Sequence, residues 1–316
     1  MELKADRSHN MVDRFFKADM KRQGESSMKV RQAVIPAAGL GINFLPITKT
    51  IPKELLPIID KTCLEYVFAE GISAGVEEFI VVISKEKQII RDYFEDSQYM
   101  IDWLRNRHLD NLIPTLNPLP KNIKLTFVYQ DEPLGLGHAV YCAHKHITDD
   151  NFFVLLPDDI IDAEPPVTNQ LLKVYAFQQR PTIAVMEVPW EDVCRYGIVQ
   201  ATPVSEHVGA VQNIVEKPTR QEAPSNLAVM GRYLLPKNIF SYIVKTKPGA
   251  GGEIQLTDAI RNIIADTGVN SYVFEGERFD TGEPLGLLLA NLVFSLKHPV
   301  YKDKIQKTVK MLSAGI

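Results

Sequence analysis

The order of strand-like and helix-like segments from Arg31 onward constrains the fold of this chain more than any other feature. Apolar, β-branched runs alternate with amphipathic stretches: RQAVIPAA, CLEYVFAEGISAG, EEFIVVIS, KEKQIIRDYF, KLTFVYQ, LGHAVYCAHKH and NFFVLLPDD. Such an order requires crossover connections, which lay helices over a mainly parallel sheet. Residues 91–123, with WLRNRHLDN and the proline-bearing LIPTLNPLP, read as an insertion between strands. After Pro181 the pattern turns to strands (TIAVMEV, GIVQAT, GAVQNIVE, LAVMGRYLL), followed by helices near 258–266 and 283–296. The expectation is an α/β body over 31–300 whose halves meet near residue 180, the second half being α+β in character.

The flanks and the bulk charge narrow the function classes. Residues 1–30 mix both charges without an apolar core, so they are expected to form a mobile extension rather than a secretory signal, and 301–316 a tail. A net charge of -4 gives no electrostatic footprint for nucleic acid or an anionic membrane, so neither is expected as a partner. Cys63, Cys142 and Cys194 are few, odd in number and widely spaced, which fits a reducing, cytoplasmic setting and offers no CxxC metal or redox signature. The run LGLLLANLVFSL at 285–296 falls short of the roughly 20 residues that span a bilayer, and is expected to be a buried helix.

The chemistry sits at strand ends. AVIPAA runs into Gly39-Leu40-Gly41, which lacks the third glycine of a dinucleotide fingerprint, and GK[ST] occurs nowhere, so both familiar phosphate loops are excluded. What remains is either a plain strand-to-helix turn or a ligand loop at the carboxyl edge of a parallel sheet. In IPKELLP, Lys53 sits between prolines beside Glu54; such a pair is either a solvated face or a lysine held stiffly to meet a phosphate. Gln130 ends a strand ahead of a second Gly-Leu-Gly, and one amide offers both the donor and the acceptor needed to read a base edge. In VLLPDD, Asp158 and Asp159 follow a buried strand, as a Mg²⁺ site or as a turn cluster. Glu216 and Lys217 in IVEKP, and Asp280 in RFDTGEPLG, stand at further element ends. His144 and His146 are two apart and share no helix face.

The ordered set AVIPAAGLG, TKTIPKELLP, GLGHAVYCA, LLPDD, EKP, APSNLAVMGRYLL, GAGGEIQLTDAI and FDTG resembles the bacterial UTP–glucose-1-phosphate uridylyltransferases, also called UDP-glucose pyrophosphorylases, from residue 31 to about 297. The resemblance implies a Rossmann-like nucleotidyltransferase fold with a mostly parallel central mixed sheet, a nucleotide-binding half (31–180) and an α+β sugar-phosphate half (181–300). It implies Mg²⁺ as cofactor, UTP and glucose 1-phosphate as substrates, and a homo-oligomer, dimer or tetramer. Carried over residue by residue, Ala38, Gly39 and Gly41 with Glu54, Gln130 and Gly137 meet the nucleotide. Asp158 and Asp280 hold the metal. Gly197 and Glu216 contact the sugar, and Lys217 its phosphate, with Lys53, Asp158 and Lys217 as the catalytic set.

Two adjacent positions depart from the resemblance. Active family members usually read GLGTR, whereas this chain has Ile42 and Asn43 after the second glycine. The missing arginine is the cation expected on the departing β- and γ-phosphates, so a reduced rate is expected. The alternatives are a low-activity regulatory paralogue that pairs with an active homologue, and a nucleotide-sugar sensor without turnover.

Overall fold

The coordinates are a computed structural model describing residues 29–313. Nine strands form one sheet: β1 (Gln32–Pro36), β4 (Glu78–Ile83), β5 (Lys124–Tyr129), β6 (Asn151–Leu155), β8 (Thr182–Glu187), β9 (Gly197–Pro203), β10 (Val208–Glu216), β11 (Leu227–Pro236) and β12 (Asn270–Val273). Two short ladders flank it: β2 (Pro57–Ile58) with β3 (Lys61–Thr62), and β7 (Asp159–Asp162) with β13 (Glu277–Asp280).

The sheet order is β5-β4-β1-β6-β11-β8-β12-β10-β9, so β11 from the second half of the chain is laced between β6 and β8. Pairing is parallel from β5 through β6 and between β8 and β12, and antiparallel elsewhere. Only β10 and β11 oppose the common direction, which makes the sheet mixed but mostly parallel, as expected.

Period-two alternation explains why this sheet is covered on both faces. Ala33, Ile35, Phe79, Val81, Phe153 and Leu155 point to one side, under the helices Cys63–Ser73 and Val167–Gln178. Val34, Ile80, Val82, Phe152 and Val154 point to the other, under Leu136–Cys142, Ile239–Lys245 and Leu256–Thr267. The Cys63–Ser73 helix starts where a capping box dictates: Thr62 Oγ1 accepts from the Glu65 amide, and the Glu65 carboxylate accepts from the Thr62 amide at 2.7 Å.

Several sequence expectations are corrected or extended. The apolar run at 285–296 is a helix (Pro284–Lys297), but only Ala290 in it is buried, and Leu285, Leu288, Leu289 and Leu292 are exposed. Apolarity marked a face, not a cover. The expected tail contains a helix, Lys302–Ser313. The insertion carries the helix Gln98–Arg105 and a 3₁₀ segment, Asp110–Leu116. The expected N-terminal extension lies outside the described residues except Lys29 and Val30, and Val30 is buried in the core.

Candidate active site

Two adjoining hollows open at the carboxyl ends of the parallel strands, one of about 500 Å³ and one of about 310 Å³. Leu136, Leu156 and Asp158 line both, so they form one cleft with Asp158 at its waist. Ala38, Gly39 and Gln130 lie on the wall of the larger hollow; Gly197, Glu216, Lys217 and Asp280 lie on that of the smaller. Sequence reasoning had drawn these residues from positions up to 242 apart, and the fold brings them onto one surface.

Four expected site residues stand behind the walls. Gly41 is left-handed at φ 67°, which its lack of a Cβ permits, and its carbonyl accepts from Thr48 Oγ1 at 2.7 Å, closing the turn. Gly137 sits where a Cβ would come within 2.7 Å of the Ile254 carbonyl, so it lets the Leu136–Cys142 helix approach the segment before Leu256. Glu54 is buried beneath the first glycine loop, with both carboxylate oxygens accepting from Lys87 Nζ at 2.7 and 2.8 Å. The same ammonium donates to the Ala37 carbonyl at 2.9 Å, so this pair supports the loop from below. Burial pushes the Glu54 carboxyl up and the Lys87 ammonium down, against their mutual attraction. Lys53 reaches from the next residue to pair with Asp158. Burial works against its charge, but Asp158 and Glu54 outweigh that and raise its pKa, so it stays protonated.

The two acids of the Pro157-Asp158-Asp159 turn have different partners. Asp158 keeps a partly exposed carboxylate, held below the ordinary range because Lys53 overcomes the cost of burial. Asp159 is buried on β7 and accepts from Arg278 Nε at 2.5 Å; burial, with Asp158 and Asp280 nearby, raises its pKa despite that arginine. Arg278 also donates to the Tyr196 hydroxyl at 3.0 Å and lies 3.4 Å from Asp280. Arg195 donates to Asp280 at 3.3 Å and to Glu283 at 2.5 Å. Asp280 therefore stands between two guanidinium groups that sequence reasoning did not single out. The signal was present in RYGIV and RFDTG, but which acid each arginine meets is a tertiary fact.

Glu216 accepts from Thr257 Oγ1 at 2.8 Å, and a Cβ on Gly197 would come within 3.1 Å of its carboxylate, so the glycine makes room for it. Burial raises its pKa, moderated by Thr257 and Lys217. Lys217 is left-handed at φ 45°, a conformation that costs a non-glycine residue about 1–3 kcal/mol and is found where function fixes the backbone. Its amide donates to the Tyr196 carbonyl at 2.9 Å, and its ammonium is half-exposed, 4.0 Å from Glu216.

The acids also meet a test for a divalent cation. A Cβ placed on Gly282 would lie 3.1 Å from both Asp158 Oδ2 and Asp280 Oδ1, so the two carboxylates converge on this glycine, the first already paired with Lys53 and the second accepting from the Gly282 amide at 3.1 Å. Among the described residues no group of three or more His, Cys, Asp or Glu side chains converges as a full cage. Two carboxylates with room for phosphate oxygens is the donor set that Mg²⁺ accepts.

The nucleotidyl transferase family model matches residues 32–294, the whole described nine-stranded sheet and every wall residue named above. The chain belongs to the nucleotidyl transferase family. Within it, the resemblance drawn from the motifs holds: a UTP–glucose-1-phosphate uridylyltransferase of Staphylococcus haemolyticus is 42% identical over 284 residues, 90% of this chain and 99% of that protein. That of Bacillus subtilis is 43% identical over 88% of this chain and 95% of its own. A UTP-bound UGPase from Acinetobacter baumannii superposes with a TM-score of 0.81 at 36% identity, covering 89% of this chain and 98% of that one. A UDP-glucose pyrophosphorylase complexed with UDP-glucose gives 0.75 at 36% identity over 85% and 100%. The candidate cleft lies at the strand ends of this nucleotidyl transferase fold, and the family generally uses a divalent metal.

Proposed function

We propose that this chain transfers UMP from UTP to glucose 1-phosphate, forming UDP-glucose and pyrophosphate. The supporting observation is the continuous cleft with Asp158 at its waist, a base-sized hollow on one side and Glu216 with Lys217 on the other. A phosphate oxygen of glucose 1-phosphate attacks the α-phosphorus of UTP, and the bond to the β-phosphate bridging oxygen breaks opposite it. Ala38 and Gly39 offer backbone to the nucleotide, and Gln130 reads the base. Glu216 accepts from sugar hydroxyls, and Lys217 meets the sugar phosphate. Lys53, tied to Asp158, is the cation beside the reacting phosphate. Catalysis is positioning plus charge neutralisation.

The metal in this reading is Mg²⁺, held by Asp158 and Asp280, and it would supply neutralisation of phosphate charge. The nucleotide belongs to residues 31–180 and the sugar phosphate to 181–300. A reduced rate belongs to the same proposal, because Asn43 donates its amide to the Gly282 carbonyl at 3.1 Å and brings no charge. A homo-oligomer is supported by Leu285, Leu288, Leu289 and Leu292, spaced as one exposed helix face. The three free thiols fit a cytoplasmic setting, and among the described residues no helix is long and apolar enough to cross a membrane.

The test is pyrophosphate release from UTP and glucose 1-phosphate with Mg²⁺, run beside ATP, GTP and CTP. Release with UTP above the other nucleotides is expected. Equal rates with ATP would remove the uridine assignment, and UTP binding without release would favour the sensor.

A further inference from the structure

The Gln130 side chain lines the larger hollow, and its environment fixes more than its position. Its Nε2 donates to the Gly135 carbonyl at 3.2 Å and lies 3.0 Å from His138 Nδ1. A backbone carbonyl can only accept, so the amide nitrogen, not the oxygen, must face Gly135. That nitrogen has two hydrogens, and the second is aimed at the imidazole. His138 Nδ1 must then accept, which requires a neutral ring with its proton on Nε2, the nitrogen facing Cys142 Sγ at 4.0 Å. Both amide hydrogens are thereby committed within the protein. Among the described residues no hydrogen bond reaches Gln130 Oε1, which leaves that oxygen for a ligand.

We infer that His138 is a specificity-determining positioning residue: by accepting from Gln130 Nε2 it turns the amide so that only an acceptor faces the base. The inference rests on the uridylyltransferase reading and deepens it. An acceptor matches the N3–H of uracil. Opposite cytosine it meets N3, itself an acceptor, and two lone pairs are set face to face. A glutamine free to flip would serve both pyrimidines, presenting oxygen to one and nitrogen to the other. His138 removes that freedom, because losing its acceptor leaves one amide hydrogen without a partner and the amide held by Gly135 alone. His138 reaches the base only through Gln130, so its effect falls on the choice between nucleotides and not on the chemical step.

Its test compares UTP with CTP in the full-length protein with Mg²⁺ and glucose 1-phosphate, by both kcat/KM and nucleotide Kd. His138→Phe keeps a ring but removes the acceptor; His138→Asn places Oδ1 close to where Nδ1 was. The UTP-over-CTP ratio is expected to fall on the order of tenfold in the phenylalanine variant, about what one neutral hydrogen bond is worth. It should return to within about threefold of the parent in the asparagine variant, by the same measure. A merely structural histidine would lower both nucleotides in parallel, and an unchanged ratio in His138→Phe, or an asparagine variant no better than phenylalanine, overturns the inference. If the parent itself shows no preference for UTP, the uridine reading fails, and the inference fails with it.

Discussion

The two ends of the cleft are built from different chemistry. The larger hollow is lined by the apolar Leu40, Leu136 and Leu156, the small residues Ala38 and Gly39 and the neutral amide of Gln130, and apart from Asp158 its charged residues, Glu86, Asp131 and Glu253, are acidic. At the smaller hollow Arg195, Arg278 and Lys217 interleave with Asp159, Glu216 and Asp280. In the proposed reading the difference would orient the nucleotide. Glu86, Asp131 and Glu253 would repel a triphosphate, whereas Lys53 and the arginines past Asp158 would attract it, which would leave the base with the end whose lining holds no cation. In the proposed reading one end selects by shape and a single hydrogen-bonding group, and the other meets phosphate charge with ions that already stand beside partners.

That contrast is broken most severely at the waist. Asp158→Asn removes the charge that would hold Mg²⁺ and leaves Lys53 facing a neutral amide, while the isosteric side chain keeps the turn. A fall in kcat on the order of 10²–10³ or more is expected, with near-wild-type thermal unfolding. Steady-state pyrophosphate release decides it, and turnover within a few-fold of the parent would remove Asp158 from the site.

Adding a charge beside the waist, where Asn43 meets the Gly282 carbonyl, is the next test. Asn43→Arg with Ile42→Thr places a cation and a hydroxyl on the first glycine loop. Ile42 is already exposed, at 68%, so the threonine relieves no crowding and contributes only its hydroxyl. One regained phosphate contact would raise kcat by roughly 10²–10³, but the Asn43 bond to the Gly282 carbonyl is lost, and a gain nearer to tenfold is expected. No gain in single-turnover release would mean that Lys53 or Arg195 already covers the departing phosphates.

How far this site was legible in the sequence follows the same division. The neutral end could be read, because strand ends punctuated by glycine and a glutamine are local signals, and the sheet could be read because strands buried on both faces are apolar throughout. The charged end was legible only as isolated acids. β7 and β13 are four residues each, and they pair Asp159 with Asp280 across 121 positions, so no local periodicity announces the ladder that sets Arg278 against Asp159. Glu54 was read as a ligand-facing acid, whereas Lys87, distant in sequence and unremarked, holds it beneath the loop. Likewise the leucines of 285–296 show that a face is apolar without showing what lies against it.

A smaller effect separates the two ends by substrate. Lys217→Ala is expected to raise KM for glucose 1-phosphate about tenfold, one charge-assisted contact, and to leave KM for UTP unchanged. A matching rise for both substrates would mean that the left-handed backbone at 217, not the ammonium, is what matters.

The smallest effect lies at the seam between the ends and concerns stability. Cys63 opens the Cys63–Ser73 helix, is 1% exposed, and its amide donates to the Leu56 carbonyl at 3.1 Å. Its thiol neighbours Thr281, whose amide and hydroxyl both donate to the Asp158 carbonyl, so it sits under the joint between the Lys53 segment and the Asp280 loop. Burial pushes the thiol from 9.0 up to about 11. Below pH 9 it is protonated in folded and unfolded chains alike and adds no pH dependence. As pH rises through 9 to 11 the unfolded chain gives up its proton first, so stability falls, by roughly 2 kcal/mol over the window. Tyr66 and Tyr93, both pushed up to about 12, shift in the same direction, and only a difference measurement isolates the cysteine. Cys63→Ala should cost about 1 kcal/mol at pH 7.5 through the small cavity it leaves. In urea unfolding at pH 7.5, 9 and 10.5 that deficit should shrink and then reverse, because the alanine has no proton to lose. A constant deficit across the three pH values would show that the thiol ionises as readily in the fold as outside it, and that the seam admits water.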